Sequence, residues 1–144
     1  MRQLVCTSCE AINRLPDDKD PLAGKCGRCG ARLFTGAPVE VTGPQLARHL
    51  SATQGAGLLL DVWAPWCGPC RAMAPQFAAA AARLEPKVRL LKLNSDQAQE
   101  AAAQLGVRSI PTLILFRGGE PAGQTAGLMN ADQIVAWTEQ TLAV

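Results

Sequence analysis

After about residue 36, apolar and polar residues alternate in segments of strand and helix length. "PVEV" (38–41) predicts a short strand. The continuous apolar run "GLLLDVWA" (57–64) predicts a strand buried on both faces, and "KVRLLKLN" (87–94) predicts the next strand. "TLILF" (112–116), the turn "RGGEP" and the segment "AGQTAG" together predict a hairpin.

The segments between these strands carry helix signals. Thr42-Gly43-Pro44 predicts a helix start with proline in the first turn. The alanine-rich residues 68–84 predict a longer helix, kinked at Pro75 because proline removes a backbone hydrogen bond. A short helix is predicted from about residue 97, with Gly106 as its C-terminal cap.

The last predicted helix starts at Asn130, and Gln133 completes a variant of the capping box. Its predicted apolar stripe is formed by Ile134, Trp137 and Leu142. The resulting order, βαβαβαββα, predicts an α/β domain in which helices join parallel strands and an antiparallel hairpin forms one edge.

The first 35 residues have a different composition. They contain four cysteines, several glycines and the polar run "PDDKDP", with few aliphatic residues, and "TGAP" (35–38) is typical of a linker or turn. We therefore predict two domains: a small cysteine-rich domain over residues 1–35 and an α/β domain over residues 36–144.

Bulk composition narrows the class of protein. The 144 residues are 48% hydrophobic, enough for a packed core. No stretch approaches the roughly 18 to 20 apolar residues of a membrane span, and the N-terminus lacks the apolar run of a signal peptide. We expect a soluble cytoplasmic protein with reduced thiols. The net charge of +2 is too small to indicate nucleic acid or membrane as a partner.

Four of the six cysteines form the pattern C-x2-C-x16-C-x2-C, namely Cys6, Cys9, Cys26 and Cys29. Two such knuckles are typical of a zinc site. A segment of about 35 residues buries too little surface to fold alone, and four thiolates on one tetrahedral ion supply the missing free energy. Gly27 and Gly30 are predicted to ease the second turn. Disulfides or free thiols are the alternatives. Four cysteines close the coordination shell, so the predicted zinc, one per chain, is structural.

Cys67 and Cys70 have the same spacing but no second knuckle, and they follow a predicted buried strand. Residues i and i+3 of a helix share one face, so this pair can close and reopen a disulfide. The unpaired N–H groups and positive partial charge of a helix N-terminus favour a thiolate, which predicts Cys67 as the nucleophile. Cys70, one turn inside, is predicted to be the less exposed, resolving thiol. A structural disulfide or a third metal knuckle is the alternative.

Three stretches carry a resemblance to a known family. "LLLDVWAPWCGPCRAMAP", "KLNSDQ" and "RSIPTLILFRGGE" resemble the thioredoxin family over residues 38–144. With the cysteine-rich extension, the chain resembles the zinc-containing bacterial subgroup, thioredoxin 2. The resemblance implies a thioredoxin fold, a mixed central sheet flanked by helices, with a small N-terminal zinc ribbon.

The resemblance also implies activity and partners. It implies a protein-disulfide reductase that delivers electrons to disulfide-containing protein substrates and is re-reduced by thioredoxin reductase, an NADPH-dependent flavoprotein. We expect no bound nucleotide or flavin in this chain, because no G-x-G-x-x-G follows a strand. We also expect a monomer.

The resemblance assigns roles to two charged residues. Asp61 lies within an apolar strand, so ionisation is costly and its pKa should be raised. In the family the matching aspartate lies beneath the cysteines and helps deprotonate the buried one, here Cys70. Lys92 matches the lysine that modulates this aspartate. The alternatives are a structural hydrogen-bonding role for Asp61 and a plain surface position for Lys92.

The remaining predicted site residues bind substrate. Ile110-Pro111 matches the cis-proline loop of the family, which faces the redox pair and can pair with an extended substrate. The set implied by the resemblance is Trp66, Gly68, Pro69, Ile110, Pro111, Ala126 and Gly127, and Trp63 is expected to pack nearby as a structural residue. Two departures from the family are mild: Arg71 replaces a common lysine, and the chain has no tyrosine.

Two other functions fit parts of the sequence. A disulfide-forming oxidase or isomerase would use the same pair, although Gly-Pro between the cysteines resembles the reducing members. An adaptor would only bind protein, although the intact pair, Asp61 and Pro111 argue for chemistry. For the ribbon, two roles stay open: docking of some substrates, or sensing of oxidation through loss of zinc.

Overall fold

A computed structural model describes residues 1–143; Val144, the last residue of the predicted second domain, lies outside the described residues. The chain forms a two-stranded sheet and a five-stranded sheet. The small sheet pairs β1 (Arg2–Val5) with β2 (Ile12–Leu15) in antiparallel orientation. The strands of the large sheet are β3 (Val39–Val41), β4 (Gly57–Trp63), β5 (Val88–Asn94), β6 (Thr112–Arg117) and β7 (Glu120–Ala126).

The large sheet has the strand order β3-β5-β4-β6-β7. The first three strands in this order are parallel, and β6 and β7 are antiparallel to their neighbours. This arrangement confirms the predicted α/β architecture with an antiparallel hairpin at one edge. The connecting helices are α1 (Gly43–Ala52), α2 (Gly68–Leu84), α3 (Gln99–Gln104) and α4 (Ala131–Leu142).

The core of the main domain consists of two apolar layers, one on each face of the large sheet. On one face, Met73 and Phe77 of α2 and Ile134 of α4 pack against Leu59 and Leu90. On the other face, residues of α1 and α3 pack against the alternate positions of the same strands. The central strands are therefore buried on both faces, as the apolar run over residues 57–64 predicted.

Most predicted helix ends are confirmed. Asn130 caps α4, and its side chain accepts a hydrogen bond from the backbone N–H of Gln133 at 2.8 Å in a complete capping box. Helix α2 continues through Pro75. The N–H of Gly106 donates to the carbonyl of Ala103 just beyond the end of α3, as predicted for a C-terminal cap.

Two details of the helices differ from the predictions. Helix α3 begins at Gln99 rather than near residue 97, because the preceding residues form a turn in which the N–H of Asp96 donates to Asn94 Oδ1. In α4 the fully covered stripe is formed by Ile134, Val135 and Thr138, whereas Trp137 and Leu142 are only partly buried. All three predicted stripe residues nevertheless pack against the core, and Val135 and Thr138 widen the buried face of the helix.

The N-terminal segment folds as a hairpin followed by a second cysteine turn. Strands β1 and β2 flank the first cysteine pair, and a single bridge between Lys25 and Arg32 closes the turn that holds the second pair. A short 3-10 helix, Pro21–Ala23, lies between β2 and the turn that holds the second cysteine pair. The small core contains Leu4, Leu33, Phe34 and two cysteines. The sequence predicted the metal knuckles of this segment but not its β-hairpin.

The side chain of Arg89, near the start of β5, joins the N-terminal segment to the main domain. Its guanidinium donates to the backbone carbonyls of Val5 and Leu33 and lies 4.7 Å from the centre of the Phe34 ring. Burial lowers the pKa of Arg89 to about 10, so the group remains cationic at neutral pH. Nearby, the N–H of Gly36 donates to Glu85 Oε1 at 2.7 Å.

Within residues 1–143, every helix is too short or too polar to cross a lipid bilayer.

Candidate redox and metal sites

Cys67 and Cys70 form a disulfide at the N-terminus of α2, with their Cα atoms 5.2 Å apart. Cys67 is the N-cap residue, and its sulfur accepts a hydrogen bond from the backbone N–H of Cys70 at 3.2 Å. A sulfur in this position faces the unpaired amides and the positive end of the helix dipole. These surroundings favour the thiolate form of Cys67 once the disulfide is reduced.

Exposure distinguishes the two cysteines only weakly in this oxidised state. Cys67 is 5% exposed and Cys70 is 2% exposed. Cys67 nevertheless lies at the surface, because its neighbours Trp66, Gly68 and Pro69 are all exposed. The exposed surface next to Cys67 is therefore formed by these three residues.

The loop at Ile110 and Pro111 lies against the redox pair. The peptide bond between them is cis, as the resemblance implied. The carbonyl oxygen of Ile110 lies 3.8 Å from Cys67 Sγ. The N–H of Gly127 donates to the carbonyl of Pro111 at 2.9 Å, so the end of β7 adjoins this loop.

The predicted substrate-binding residues thus come from three segments that meet near the disulfide. Trp66 is 68% exposed, and its indole N–H donates to Asp96 Oδ1 at 3.2 Å. Ala126 and Gly127 are exposed, Ile110 is half-buried and Pro111 is buried. Their role in binding stays a prediction, and their positions form a surface that is in part apolar beside Cys67.

Asp61 lies in the middle of β4 and is 1% exposed. Among residues 1–143, neither of its carboxyl oxygens has a hydrogen-bond partner. Burial raises the pKa of Asp61 to about 7; nearby Lys92 acts in the opposite direction, and Glu40 raises it further. The side chain can therefore exchange a proton near neutral pH.

Lys92 pairs in register with Asp61 on one side and with Glu40 on the other. Its ammonium group lies 4.7 Å from the centre of the Trp63 ring. Among residues 1–143 the ion pairs are Met1–Asp17 and Arg83–Asp132, so Lys92 is not within ion-pair distance of either carboxylate. Trp63 packs against the redox pair, as expected of a structural residue.

The four N-terminal cysteines converge on one point. Their sulfur atoms all lie within 4.8 Å of one another, and the pairs Cys6–Cys29 and Cys9–Cys26 are each separated by 3.6 Å. Sulfurs around a tetrahedral zinc ion, with Zn–S bonds of about 2.3 Å, would be about 3.8 Å apart. The cluster therefore fits a four-thiolate metal site.

The two knuckles have matching backbone geometry. The N–H of Ser8 donates to Cys6 Sγ and the N–H of Arg28 donates to Cys26 Sγ, both at 3.4 Å. Gly30 has a positive φ of 78°, as expected for the tight turn, and Glu10 adopts a similar φ of 66° in the first knuckle. Gly27 does not; its N–H instead donates to the side chain of Asn13.

Hydrogen bonds to sulfur make one of these thiols acidic. The backbone amide of Cys29 is the largest of several donors, with the Asn13 side chain next, that lower the pKa of Cys26 to about 6. Asn13 Nδ2 lies 3.4 Å from Cys26 Sγ. Metal ligation requires thiolates, so these donors favour the ligating form of Cys26, whereas in the same cluster the pKa of Cys9 is raised to about 11.

The metal cluster and the redox pair lie at opposite ends of the large sheet. Arg89, which contacts the ribbon, is in register with Leu58 at the start of β4, whereas the redox pair follows the end of that strand at Trp63. Five residues of strand separate these positions by about 16 Å. The sequence did not predict this placement.

Four residues of functional interest were missed by sequence reasoning. They are Glu40 beside Lys92, Asp96 as the partner of Trp66, Arg89 beneath the ribbon, and the exposed Leu128, which directly follows Gly127. Leu128 had a signal in the sequence, since it is a large apolar residue next to a predicted substrate-binding position. The other three depend on contacts between distant segments.

Comparison with known proteins assigns the family. Residues 38–140 match the family model described as Thioredoxin. The chain belongs to the thioredoxin family. Residues 5–31 match the zinc-ribbon model described as Thioredoxin 2, N-terminal, which identifies the ribbon as the one found in that subgroup.

Individual relatives agree with this assignment. Thioredoxin C-3 of Corynebacterium nephridii is 34% identical over 139 residues, covering 96% of this chain and 94% of its own length. Thioredoxin of Alicyclobacillus acidocaldarius is 48% identical over 91 residues, covering 62% of this chain and 87% of its own. The solved structure of a mutant thioredoxin from Halobacterium salinarum has a TM-score of 0.67 at 30% identity and covers 75% of this chain and 93% of its own.

Membership of the family confirms the fold and the general chemistry. This thioredoxin has the mixed sheet of the family, and its four N-terminal cysteines are arranged as in a zinc ribbon. It is a disulfide oxidoreductase with protein-disulfide reductase activity. The pair at disulfide-bonding distance is Cys67–Cys70.

Proposed function

We propose that this thioredoxin reduces disulfides in cytoplasmic proteins and is itself re-reduced by thioredoxin reductase. The observation that carries the proposal is the position of Cys67 as the N-cap of α2, with Cys70 one turn away and bonded to it. A cytoplasmic location is supported by chemistry, because a dithiol reductant and a cluster of four thiolates both require a reducing compartment.

In the first step, the Cys67 thiolate attacks one sulfur of the substrate disulfide. A mixed disulfide forms between Cys67 and the substrate, and the other substrate sulfur leaves as a thiolate that takes a proton from water. The amides at the start of α2 stabilise the attacking thiolate before the bond forms. The cis-proline loop, with the Ile110 carbonyl 3.8 Å from Cys67 Sγ, is proposed to pair with the backbone of the substrate.

In the second step, Asp61 is proposed to act as the base for Cys70. The carboxylate accepts the Cys70 proton, and the resulting thiolate attacks Cys67 Sγ. The disulfide of the enzyme forms, the second substrate sulfur leaves as a thiolate, and Asp61 can return the proton to it. The pKa of about 7 for Asp61 suits this exchange at neutral pH. Lys92 is proposed to adjust that pKa.

The remaining partners follow from the same chemistry. The oxidised protein must regain two electrons and two protons, which thioredoxin reductase is proposed to supply with its own NADPH and flavin. We propose a monomer that binds neither nucleotide nor flavin itself. The proposed docking surface consists of Trp66, Gly68, Pro69, Ile110, Pro111, Ala126 and Gly127.

The ribbon is proposed to hold one zinc ion on Cys6, Cys9, Cys26 and Cys29. All four positions of the tetrahedron are taken by sulfur, so zinc bound there supplies folding free energy rather than catalysis. The division into a ribbon domain over residues 1–35 and a thioredoxin domain over residues 36–144 is part of the proposal.

The proposed catalytic roles are tested by insulin reduction with dithiothreitol or with thioredoxin reductase and NADPH as donor. Cys67→Ser should abolish turnover, because no thiolate attacks the substrate. Cys70→Ser should allow the first step and accumulate a mixed disulfide, visible by mass spectrometry. Full activity of Cys67→Ser, or a Cys67 thiol no more acidic than that of a free peptide, would disprove the mechanism. A strongly oxidising redox potential would instead favour a disulfide-forming oxidase.

A further inference from the structure

A row of three ionisable side chains crosses the sheet next to the redox pair. Glu40 of β3, Lys92 of β5 and Asp61 of β4 are register partners on neighbouring strands. Residues paired in this way project from the same face of a sheet. Lys92 therefore lies between two carboxylates, one exposed and one buried.

Trp63 connects Glu40 and Lys92 to the redox site. Its indole N–H donates to Glu40 Oε1 at 2.8 Å, and the Lys92 ammonium lies over its ring. Trp63 itself packs against Cys67 and Cys70. Glu40 thus holds the indole that the Lys92 ammonium contacts. Both oxygens of Asp61, by contrast, lack a hydrogen-bond partner in the part of the chain that the structure describes.

We propose that Glu40 is a positioning residue of the redox site: by anchoring Trp63 and competing for Lys92, it favours the protonated form of Asp61. A carboxylate two strands away, at about 10 Å, opposes ionisation of Asp61 directly. Lys92 also pairs in register with both carboxylates, so its positive charge is shared with Glu40 rather than directed at Asp61 alone. Both effects act in the same direction, and the raised pKa of Asp61 agrees with them.

The other side chains packed around Asp61 restrict which groups could shift its pKa. On the sheet, its register partner on β6 is the apolar Leu113. Helix α2 covers this face with Met73 and Phe77 and carries the Cys67–Cys70 couple at its start. Within residues 1–143, Lys92 and Glu40 are the charged side chains in the same row of the sheet as Asp61, and their charges shift its pKa in opposite directions. The consequence for catalysis rests on the proposed role of Asp61 as the base for Cys70.

The direct test is a carboxyl carbon NMR titration of Asp61 in the oxidised protein, with Asp61→Asn used to assign the resonance. Glu40→Gln keeps an oxygen that can accept the Trp63 N–H but removes the charge. The pKa of Asp61 should fall by about 0.5, or about threefold in the dissociation constant. A persisting Trp63 indole resonance verifies that the fold and this hydrogen bond survive.

Glu120→Gln is the matched control. Glu120 is an exposed glutamate at the start of β7, on the opposite edge of the sheet, and its removal changes net charge equally. It should leave the pKa of Asp61 within about 0.1 of wild type. An unchanged or higher Asp61 pKa in Glu40→Gln, or the same fall in both variants, would overturn the proposal.

A kinetic arm separates this inference from the proposed mechanism. Stopped-flow mixing of the reduced protein with a chromogenic aromatic disulfide gives a first release of aromatic thiol from attack by Cys67 and a second from attack by Cys70. The acid limb of the second phase should move about 0.5 pH lower in Glu40→Gln. If Asp61→Asn leaves this limb unchanged, the proposed base is wrong, whereas the titration still decides the effect of Glu40.

Discussion

At the scale of single residues, the burial of Asp61 links its proposed role as a base to the stability of the fold. This buried carboxyl group has no hydrogen-bond partner within residues 1–143, and burial raises its pKa from the ordinary value of 3.8 to about 7. The folded state therefore holds a proton that the unfolded state releases. Stability falls as pH rises from about 4 to about 7, and the loss is complete above that range.

Replacing Asp61 with asparagine should remove this loss. Because a neutral amide of similar shape is not subject to ionisation, Asp61→Asn should stabilise the oxidised protein by up to about 4 kcal/mol at pH 8 and by roughly 1.5 kcal/mol at pH 5. Urea unfolding at both values measures the difference. Asp18→Asn, at an exposed position, should change stability by less than about 0.5 kcal/mol at either pH. A gain independent of pH would contradict this account.

At the scale of elements, the hairpin of β6 and β7 depends on two adjacent glycines. Gly118 and Gly119 have φ values of 61° and 81°, which residues other than glycine and asparagine rarely adopt. Their surroundings differ. A Cβ atom on Gly118 would meet nothing within 4 Å, whereas one on Gly119 would lie 2.8 Å from the backbone carbonyl oxygen of Leu50.

This difference predicts that substitutions at these neighbouring positions change stability by different amounts. Gly118→Asn creates the Asn-Gly pair that type I′ turns prefer, and stability should change by less than about 0.5 kcal/mol. Gly119→Ala adds backbone strain and a clash with α1, so it should cost about 2 kcal/mol or more. Thermal or urea unfolding of both variants is the measurement. Equal losses would show that the contact with Leu50 is unimportant.

At the scale of the whole molecule, a buried charged side chain, Arg89, joins the ribbon to the main domain. Arg89 belongs to β5, but the carbonyls that accept its hydrogen bonds belong to the residues just before Cys6 and within the ribbon core. Loss of the metal should unfold the ribbon, since its small core contains two of the ligands. The main domain would then lose these hydrogen bonds and the covering of Arg89.

Removal of zinc with a chelator should therefore weaken the main domain on the order of 2 to 3 kcal/mol, the contribution of hydrogen bonds to a charged group. Trp63, Trp66 and Trp137 are the tryptophans of the chain, so their fluorescence during urea unfolding reports on the main domain alone. Zinc content and thiols are counted in parallel, with one ion per chain expected. In Arg89→Met the loss on chelation should be smaller. An equal loss would show that Arg89 does not connect the two parts.

This connection bears on the two roles considered for the ribbon. Oxidation of the thiolates by peroxide would release zinc, and Arg89 would carry the change to β5. A substrate held at Cys67 would need to extend about 16 Å along the sheet to reach the ribbon. Sensing predicts that reductase activity changes as zinc is released during a peroxide titration. Unchanged activity after complete release would leave docking as the better hypothesis.

Local patterns were sufficient for much of the fold and for the reactive sulfurs. The cysteine spacing and the helix that follows position 67 predicted the redox pair and its place at a helix cap, because both depend on residues within one turn. The run over residues 57–64 predicted the central strand for the same reason. Asp61 was found because a carboxylate inside an apolar run is conspicuous.

Other features were decided only by the tertiary structure. Glu40 lies 21 positions before Asp61 in the sequence, and strand pairing alone brings both carboxylates to Lys92. Similarly, Arg89 resembles any strand arginine until the ribbon folds over it. Sequence patterns specify which faces are buried, whereas sheet register and domain docking specify which distant side chains meet. The charges around Asp61 and the contacts that support the four-cysteine cluster therefore follow from the assembled fold.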